Sequence, residues 1–552
     1  MNLSLNISKK RLDSARAWYE RQNFERWVIG LSVFFALAAT AYSFKHGYII
    51  AYGDAESHLD IAKRVVDSLT PGFAQLGGIW LPLPHLLLIP FVYFNPLWRT
   101  GLAGSIVSGA CYVVSAWYLY KTIFLLTKSG IGSFVGALVF MLNPNILYLQ
   151  TTPMTEMTLI VFFILSTYYF IVFLYDQKNL AALLASAFFG FCSTLSRYDG
   201  WSLVLTEAGI LFLLYLPWKK IPRNFRQIKE YWDNSKFKEM EGKIVLFSTA
   251  AFFGIALWFG WDWLILGDPL YFTDSVYSAK SQQQAWLIRG ELPANHHILV
   301  AFLYYAVDTM SNVGVIMFLV SIAAMIYLLS QKEVKKKWYV VLLLLVPFIF
   351  NVATLWLGQS VIFLPSITPV SFEWRLFNVR YGVMMAPAVA VFIGYLFYRI
   401  KASGRLLIIS LMIFQILLYL VGYSQVISLE DGVTGLSSAV ARPPDAQNFL
   451  NAHYDGGLVL ADDFARSISI IRSPVPMKDM IYVGNKPYWA DSLVAPEKYA
   501  TWIVMQKNDA VWTALYDDPA EQGRLYKYFV KEYTSPDTLI FKRNPDVPEQ
   551  GS

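Results

Sequence analysis

Long apolar stretches run through most of the chain, separated by short polar punctuation. Runs near 27–48, 102–126, 132–149, 154–175, 180–196, 201–217, 244–266, 339–357, 382–400 and 405–425 are each long enough, at roughly 17–25 residues, to cross the hydrocarbon layer of a bilayer. The apolar region 298–330 is too long for one crossing and reads as a partly buried surface piece carrying Asp308, followed by one span. Together these predict eleven membrane helices. A different pattern follows the first run. From Glu56 to Leu69 the apolar residues Leu59, Ala62, Val66 and Leu69 recur at helical spacing, with Asp60, Lys63, Arg64 and Asp67 on other faces. That predicts a helix lying on the membrane surface, apolar side down. After residue 426 the pattern becomes an ordinary soluble mixture, with short β-like runs at 457–460 and 501–505. A terminal pair at 528–533 and 538–542 flanks the turn signal Ser535-Pro536-Asp537. The expected organisation is a tail at 1–26, a membrane domain at 27–425 with a large first loop at 49–101, and a small α/β domain at 426–552.

Composition agrees with that pattern. Apolar residues make up 56% of the chain and charged residues only 15%, against about a quarter in soluble proteins. Cys111 and Cys192 both fall in apolar segments, so neither a disulfide framework nor a cysteine-rich metal site is expected. The formal charge of +6 is informative by position and does not point to nucleic acid. Lys9, Lys10, Arg11, Arg16, Arg21 and Arg26 place the N-terminus in the cytoplasm, and no cleavable signal peptide is expected. The basic segment 219–243, the run 332–337, and Lys401 with Arg405 fall on the same inner side, which leaves the C-terminal domain outside.

Chemistry should therefore gather at the outer helix ends. The first run ends in Tyr52-Gly53-Asp54-Ala55-Glu56-Ser57-His58, where two carboxylates and an imidazole next to hydrocarbon need a partner, water or a cation. The same loop carries Gly77 to His85. Later outer turns supply Thr155 and Glu156, then Arg197 and Asp199, then Asp268, Tyr271, Lys280 and Arg289, then Glu373, Arg375, Asn378, Arg380 and Tyr381. Acids and cations on one side suit a phosphate-bearing lipid and a hydroxyl acceptor. Arg380 is the first candidate for the phosphate, because a guanidinium can hold it bidentately; Lys280, Arg289 and Arg197 are alternatives. Glu56, His58, His85, Tyr271 and Tyr381 are candidate substrate contacts. Plainer readings stand beside these: a salt-bridged turn for Arg197 and Asp199, a helix-terminal charge for Glu56, and a packed histidine for His85. Asp54, Glu56, His58, His85 and Glu156 offer ligands to a divalent cation, but without compact spacing, so the metal is left open.

Three segments carry a resemblance: Gly53-Asp54-Ala55-Glu56-Ser57-His58-Leu59, Pro153-Met154-Thr155-Glu156 and Arg380-Tyr381. With the eleven-span layout and the large first loop, the chain resembles the GT-C superfamily of membrane glycosyltransferases. Its nearest kin there are the family 39-like enzymes, related to protein O-mannosyltransferases and lipid A aminoarabinose transferases. The resemblance implies an all-α polytopic catalytic domain with a small extracytoplasmic α/β domain, in a prokaryotic plasma membrane. It implies a polyprenyl-phosphate sugar donor, a protein, lipid or glycan acceptor, Asp54 as catalytic base and Glu156 as the second catalytic acid. A transporter or flippase of a polyprenyl-linked glycan is the alternative; it would place polar groups near mid-membrane and show broken helices in inverted repeats.

Overall fold

A computed structural model describes residues 2–215, 235–275, 278–435, 438–462 and 468–547, with only the backbone described at 2–22 and 235–237. The side chains of Lys9 to Arg21 and the basic stretch Lys219, Lys220, Arg223, Arg226 and Lys229 lie outside the described residues. Contacts divide the chain into two compact units. The first comprises 1–43, 78–83 and 106–431; the second comprises 44–77, 84–105 and 432–552.

Each of the eleven predicted spans coincides with a helix or a broken helix pair. Among the described residues seven helices are long and apolar enough to cross a membrane: Asn23–His46, Leu102–Thr127, Glu156–Tyr175, Lys238–Leu266, Lys337–Trp356, Val379–Arg399 and Ala402–Leu420. Ile298–Val313 and Val315–Ser330 meet at 113° and make an eighth if taken as one broken span. Shorter apolar helices at Gly130–Met141 and Leu180–Thr194 add to these. The chain is a multi-pass membrane protein.

The breaks have local causes. Gly314 has φ +84°, and a Cβ there would lie 2.6 Å from the Gln415 side chain, so only glycine leaves room for that amide. Gln415 Oε1 in turn accepts from the amide of Ile316 at 3.1 Å, satisfying an orphan donor of the helix that follows. The predicted span 132–149 is not continuous either. Helix Gly130–Met141 stops and Pro144–Leu149 starts afresh, because Asn143 Oδ1 accepts from the amides of Asn145 and Ile146 and Pro144 fills the first helical position.

In the second unit, a five-stranded sheet has the order β2-β1-β3-β5-β4. Its strands are β1 Val459–Ala461, β2 Met480–Ile481, β3 Trp502–Gln506, β4 Phe529–Thr534 and β5 Thr538–Arg543. β1 runs parallel to β2 and β3, while β5 is antiparallel to β3 and β4. Four of the strands fall on the predicted runs; β2, with two residues, gave no periodicity to read. Leu460, Ile503, Met505, Leu539 and Phe541 form the sheet side of a core that Val511, Leu515 and Leu525 close.

The helix expected after the first span is Gly53–Val66, with Leu59 and Ala62 fully buried. Its other faces are covered as well, since Asp60, Lys63 and Arg64 are buried too. Trp98 Nε1 donates to Asp60 Oδ1 at 3.0 Å, and Lys63 Nζ reaches Asn95 Oδ1 at 2.7 Å and Asp67 at 3.2 Å. The Arg64 guanidinium lies 3.9 Å from the Tyr482 ring centroid. Asn95, Trp98 and Tyr482 come from other segments of the same unit, so protein covers this side of the helix.

Candidate active site

Glu156 is the first residue of helix Glu156–Tyr175, where an acid complements the helix dipole, and it is 0% exposed. Its Oε1 accepts from Arg197 Nη1 at 3.0 Å and from Arg380 Nε at 3.2 Å. Arg197 belongs to the turn between helices Leu180–Thr194 and Asp199–Tyr215. It also bonds Thr155 Oγ1 at 3.0 Å and Asp199 Oδ2 at 3.4 Å, so the predicted turn pair is present and extends to a second carboxylate, Glu156. Arg380 sits on the 3₁₀ turn Val379–Met385, entered through Asn378 at φ +56°, a left-handed conformation that asparagine tolerates. Its Nη1 donates to Asn378 Oδ1 at 2.9 Å and lies 3.8 Å from Asp431 Oδ2. The Tyr381 ring lies 5.0 Å from the Arg197 guanidinium carbon and 5.2 Å from that of Arg380, within cation–π range of both.

Burial opposes the Arg197 charge, yet the Glu156 and Asp199 carboxylates outweigh it and hold the guanidinium above its ordinary range. Two cations are thus fixed on one buried carboxylate. Among the described residues Arg197 Nη2 makes no hydrogen bond, and the Arg197 side chain is 19% exposed. That leaves a guanidinium edge suited to an oxyanion.

The acidic cluster after the first span is divided among different partners within the second unit. Glu56 Oε1 accepts from Arg472 Nε at 2.8 Å and Oε2 from Ser469 Oγ at 2.5 Å. Arg472 Nη2 also donates to the carbonyl of Ile50 at 2.8 Å. His58 Nδ1 and His85 Nε2 share a hydrogen bond at 2.9 Å, both rings being buried. Asp54 stands half-buried in the first turn of helix Gly53–Val66.

Other candidates lie elsewhere. Lys280 is exposed on helix Ala279–Ile288, and Arg289 is paired with Glu291 at 2.8 Å and Glu373 at 3.0 Å. Tyr271, on the short helix Tyr271–Asp274, approaches Gly78. No three His, Cys, Asp or Glu side chains gather as a metal cage among the described residues.

The sequence reading missed a buried polar network around Asn143, Asn145, Asn312 and Ser428, and it missed Glu207. Asn143 and Asn145 both donate to the carbonyl of Asn312 at 2.9 Å. Asp308 and Asn312, four residues apart on one helix, and the triplet Asn143-Pro144-Asn145 were its available signals. Glu207 is 0% exposed inside helix Asp199–Tyr215, with Ser166 Oγ 3.0 Å from both its oxygens. It is a lone acid in an apolar run, away from the helix ends where the sequence put the chemistry.

Residues 98–231, which include Glu156 and Arg197, match the family described as dolichyl-phosphate-mannose-protein mannosyltransferase. The fold is similar to that of ArnT from Cupriavidus metallidurans bound to undecaprenyl phosphate, with a TM-score of 0.52 and 11% identity over 94% of this chain and 98% of that one. ArnT from the same organism in the apo state aligns with a TM-score of 0.44 and 12% identity over 93% and 97% of the two chains. No curated protein sequence matches. The family match covers residues 98–231, and the fold that the GT-C resemblance implied is the one shared with ArnT.

Proposed function

We propose that this GT-C membrane protein is an inverting glycosyltransferase that moves a sugar from a polyprenyl-phosphate donor to a hydroxyl acceptor on the outer face of a prokaryotic plasma membrane. The observation that carries the reading is the pair of guanidiniums, Arg197 and Arg380, fixed on Glu156 with one edge of Arg197 unspent. Such a pair suits a lipid phosphate that gains negative charge as the sugar leaves. The lipid bound by ArnT, undecaprenyl phosphate, supports that class of donor.

In the proposed step Asp54 takes the proton of the acceptor hydroxyl. The acceptor oxygen bonds to the anomeric carbon from the face opposite the phosphate. The bond from that carbon to the phosphate oxygen breaks, and polyprenyl phosphate leaves with the electron pair. Asp54 is the base that the resemblance implies, and it stands half-buried in the first turn of helix Gly53–Val66. Glu156 acts by holding the two arginines, and Tyr381 lies against both. Lys280 and Arg289 rank behind them as phosphate ligands, and Tyr271 remains a candidate sugar contact.

The test is transfer from radiolabelled polyprenyl-phosphate sugars by the purified full chain. Wild type turns over at least one donor, and Asp54→Asn loses about 10²–10⁴-fold. Full activity in Asp54→Asn removes the base assignment; no transfer or hydrolysis across the donor panel removes the enzyme. A glycan-lipid transporter is the second reading, favoured by the 113° break at Gly314 and by buried Glu207. Its signature is labelled lipid crossing proteoliposomes with the sugar–phosphate bond intact.

A further inference from the structure

Arg380 lies on a short 3₁₀ turn, Val379–Met385, whose carbonyls do not all have regular helical partners. Two side chains of the single helix Ile298–Val313 take the carbonyls that flank it in sequence. Asn312 Nδ2 donates to the carbonyl of Val379 at 2.6 Å, and the Tyr305 hydroxyl donates to the carbonyl of Tyr381 at 3.1 Å. The backbone before and after Arg380 is therefore tied to one helix, at the carbonyls of Val379 and Tyr381.

Both tethers are themselves held. Asn312 Nδ2 also reaches the carbonyl of Asp308 at 2.9 Å and Asp308 Oδ1 at 3.0 Å, and Asn312 Oδ1 accepts from Ser428 Oγ at 2.9 Å. Ser428 is fixed in turn by its amide, which donates to Asn145 Oδ1 at 2.9 Å. The Tyr305 hydroxyl accepts from Asn351 Nδ2 at 3.2 Å, and Asn351 Nδ2 also bonds the carbonyl of Pro347 at 2.9 Å. Asn312 and Tyr305 are fully buried, so water cannot replace either tether cheaply. Gly382 closes the contact: a Cβ there would lie 2.5 Å from both Asn312 Nδ2 and the carbonyl of Asp308.

We infer that Asn312, with Tyr305, is a positioning residue for Arg380, fixing the backbone on either side of it so that its guanidinium shares Glu156 with Arg197 and presents charge to the donor phosphate. The inference rests on the phosphate role proposed above. Asn312 touches neither Arg380's guanidinium nor, on this reading, the substrate. It acts through the turn.

Two measurements on the purified full chain in detergent test it. The first is hydrogen–deuterium exchange of the peptide covering 378–385. Asn312→Leu raises exchange there while the rest of helix Ala386–Arg399 is unchanged, and Tyr305→Phe, which removes only the hydroxyl, does so more weakly. The second is binding of polyprenyl monophosphate. Loss of one buried hydrogen bond predicts about tenfold weaker binding for Asn312→Leu and about threefold for Tyr305→Phe. The double variant Arg380→Ala/Asn312→Leu binds no worse than Arg380→Ala alone, because the tether acts only through Arg380. Unchanged exchange at 378–385 in both single variants overturns the inference, as do additive losses in the double variant. If exchange rises but Arg380→Ala binds polyprenyl phosphate as wild type does, the anchoring stands and the phosphate role of Arg380 falls.

Discussion

Glu156 and Glu56 are both acids near the start of a helix, and both are engaged by arginine, but the two pairings differ in depth and in the number of partners. Glu156 is 0% exposed and serves two guanidiniums through one oxygen, whereas the Glu56 side chain is 15% exposed and splits its oxygens between Arg472 and Ser469. The first arrangement gathers three helix ends of the membrane unit onto a single atom. The second fastens the first turn of helix Gly53–Val66 to the segment after β1 within the other unit. A buried charge without its partner costs far more than a half-solvated one, so the same chemistry is structural cement in one place and a modest clasp in the other.

Substitutions at and around the two acids test that contrast. Glu156→Gln leaves two buried guanidiniums on a neutral amide, and the expected loss is about 3–5 kcal/mol in thermal unfolding of the purified protein. A variant as stable as wild type would mean that the arginines do not depend on this carboxylate. Gly382→Ala forces a methyl group against Asn312 and the Asp308 carbonyl, with an expected cost of about 1–3 kcal/mol and faster exchange at 378–385. Arg472→Ala should cost about 1 kcal/mol, since that pair is partly solvated; a loss as large as for Glu156→Gln would erase the distinction.

The smallest expected effect is a pH dependence in the second unit. Burial pushes the Asp509 carboxyl up to about 6, against hydrogen bonds from the Trp512 and Gln506 amides that pull it down. A folded-state value raised above the unfolded one means that the folded state binds more protons between about pH 4 and 6. Stability from this group therefore rises as pH falls through that window and is lost as pH rises through about 6. Asp509→Asn should flatten the profile by about 1 kcal/mol, allowing for partial solvation, and an unchanged profile would remove Asp509 as its source.

Much of the fold was legible because burial in a bilayer imposes long apolar runs, which is why helices such as Glu156–Tyr175 and Ala402–Leu420 fall where hydropathy put them. The breaks at Asn143 and Gly314 were less legible, since each is fixed by a particular amide rather than by periodicity. Arg380, Arg197 and Glu156 were nameable from sequence as charges near helix ends. That they share one oxygen was not, because 224 residues separate Arg380 from Glu156. Asn312 and Tyr305 gave almost no signal. Their role lies in which carbonyls they reach, and no local pattern encodes that.

The break at Gly314 also bears on how this sequence can drift. Because a Cβ at 314 would enter the space of the Gln415 side chain, and Gln415 caps the helix beginning at Val315, neither position is free to change alone. Lineages that acquire a larger residue at 314 should carry a smaller one at 415 and a new donor-satisfying group nearby. Across related sequences the two positions should therefore covary, although they lie 101 residues apart and neither touches the candidate active site residues.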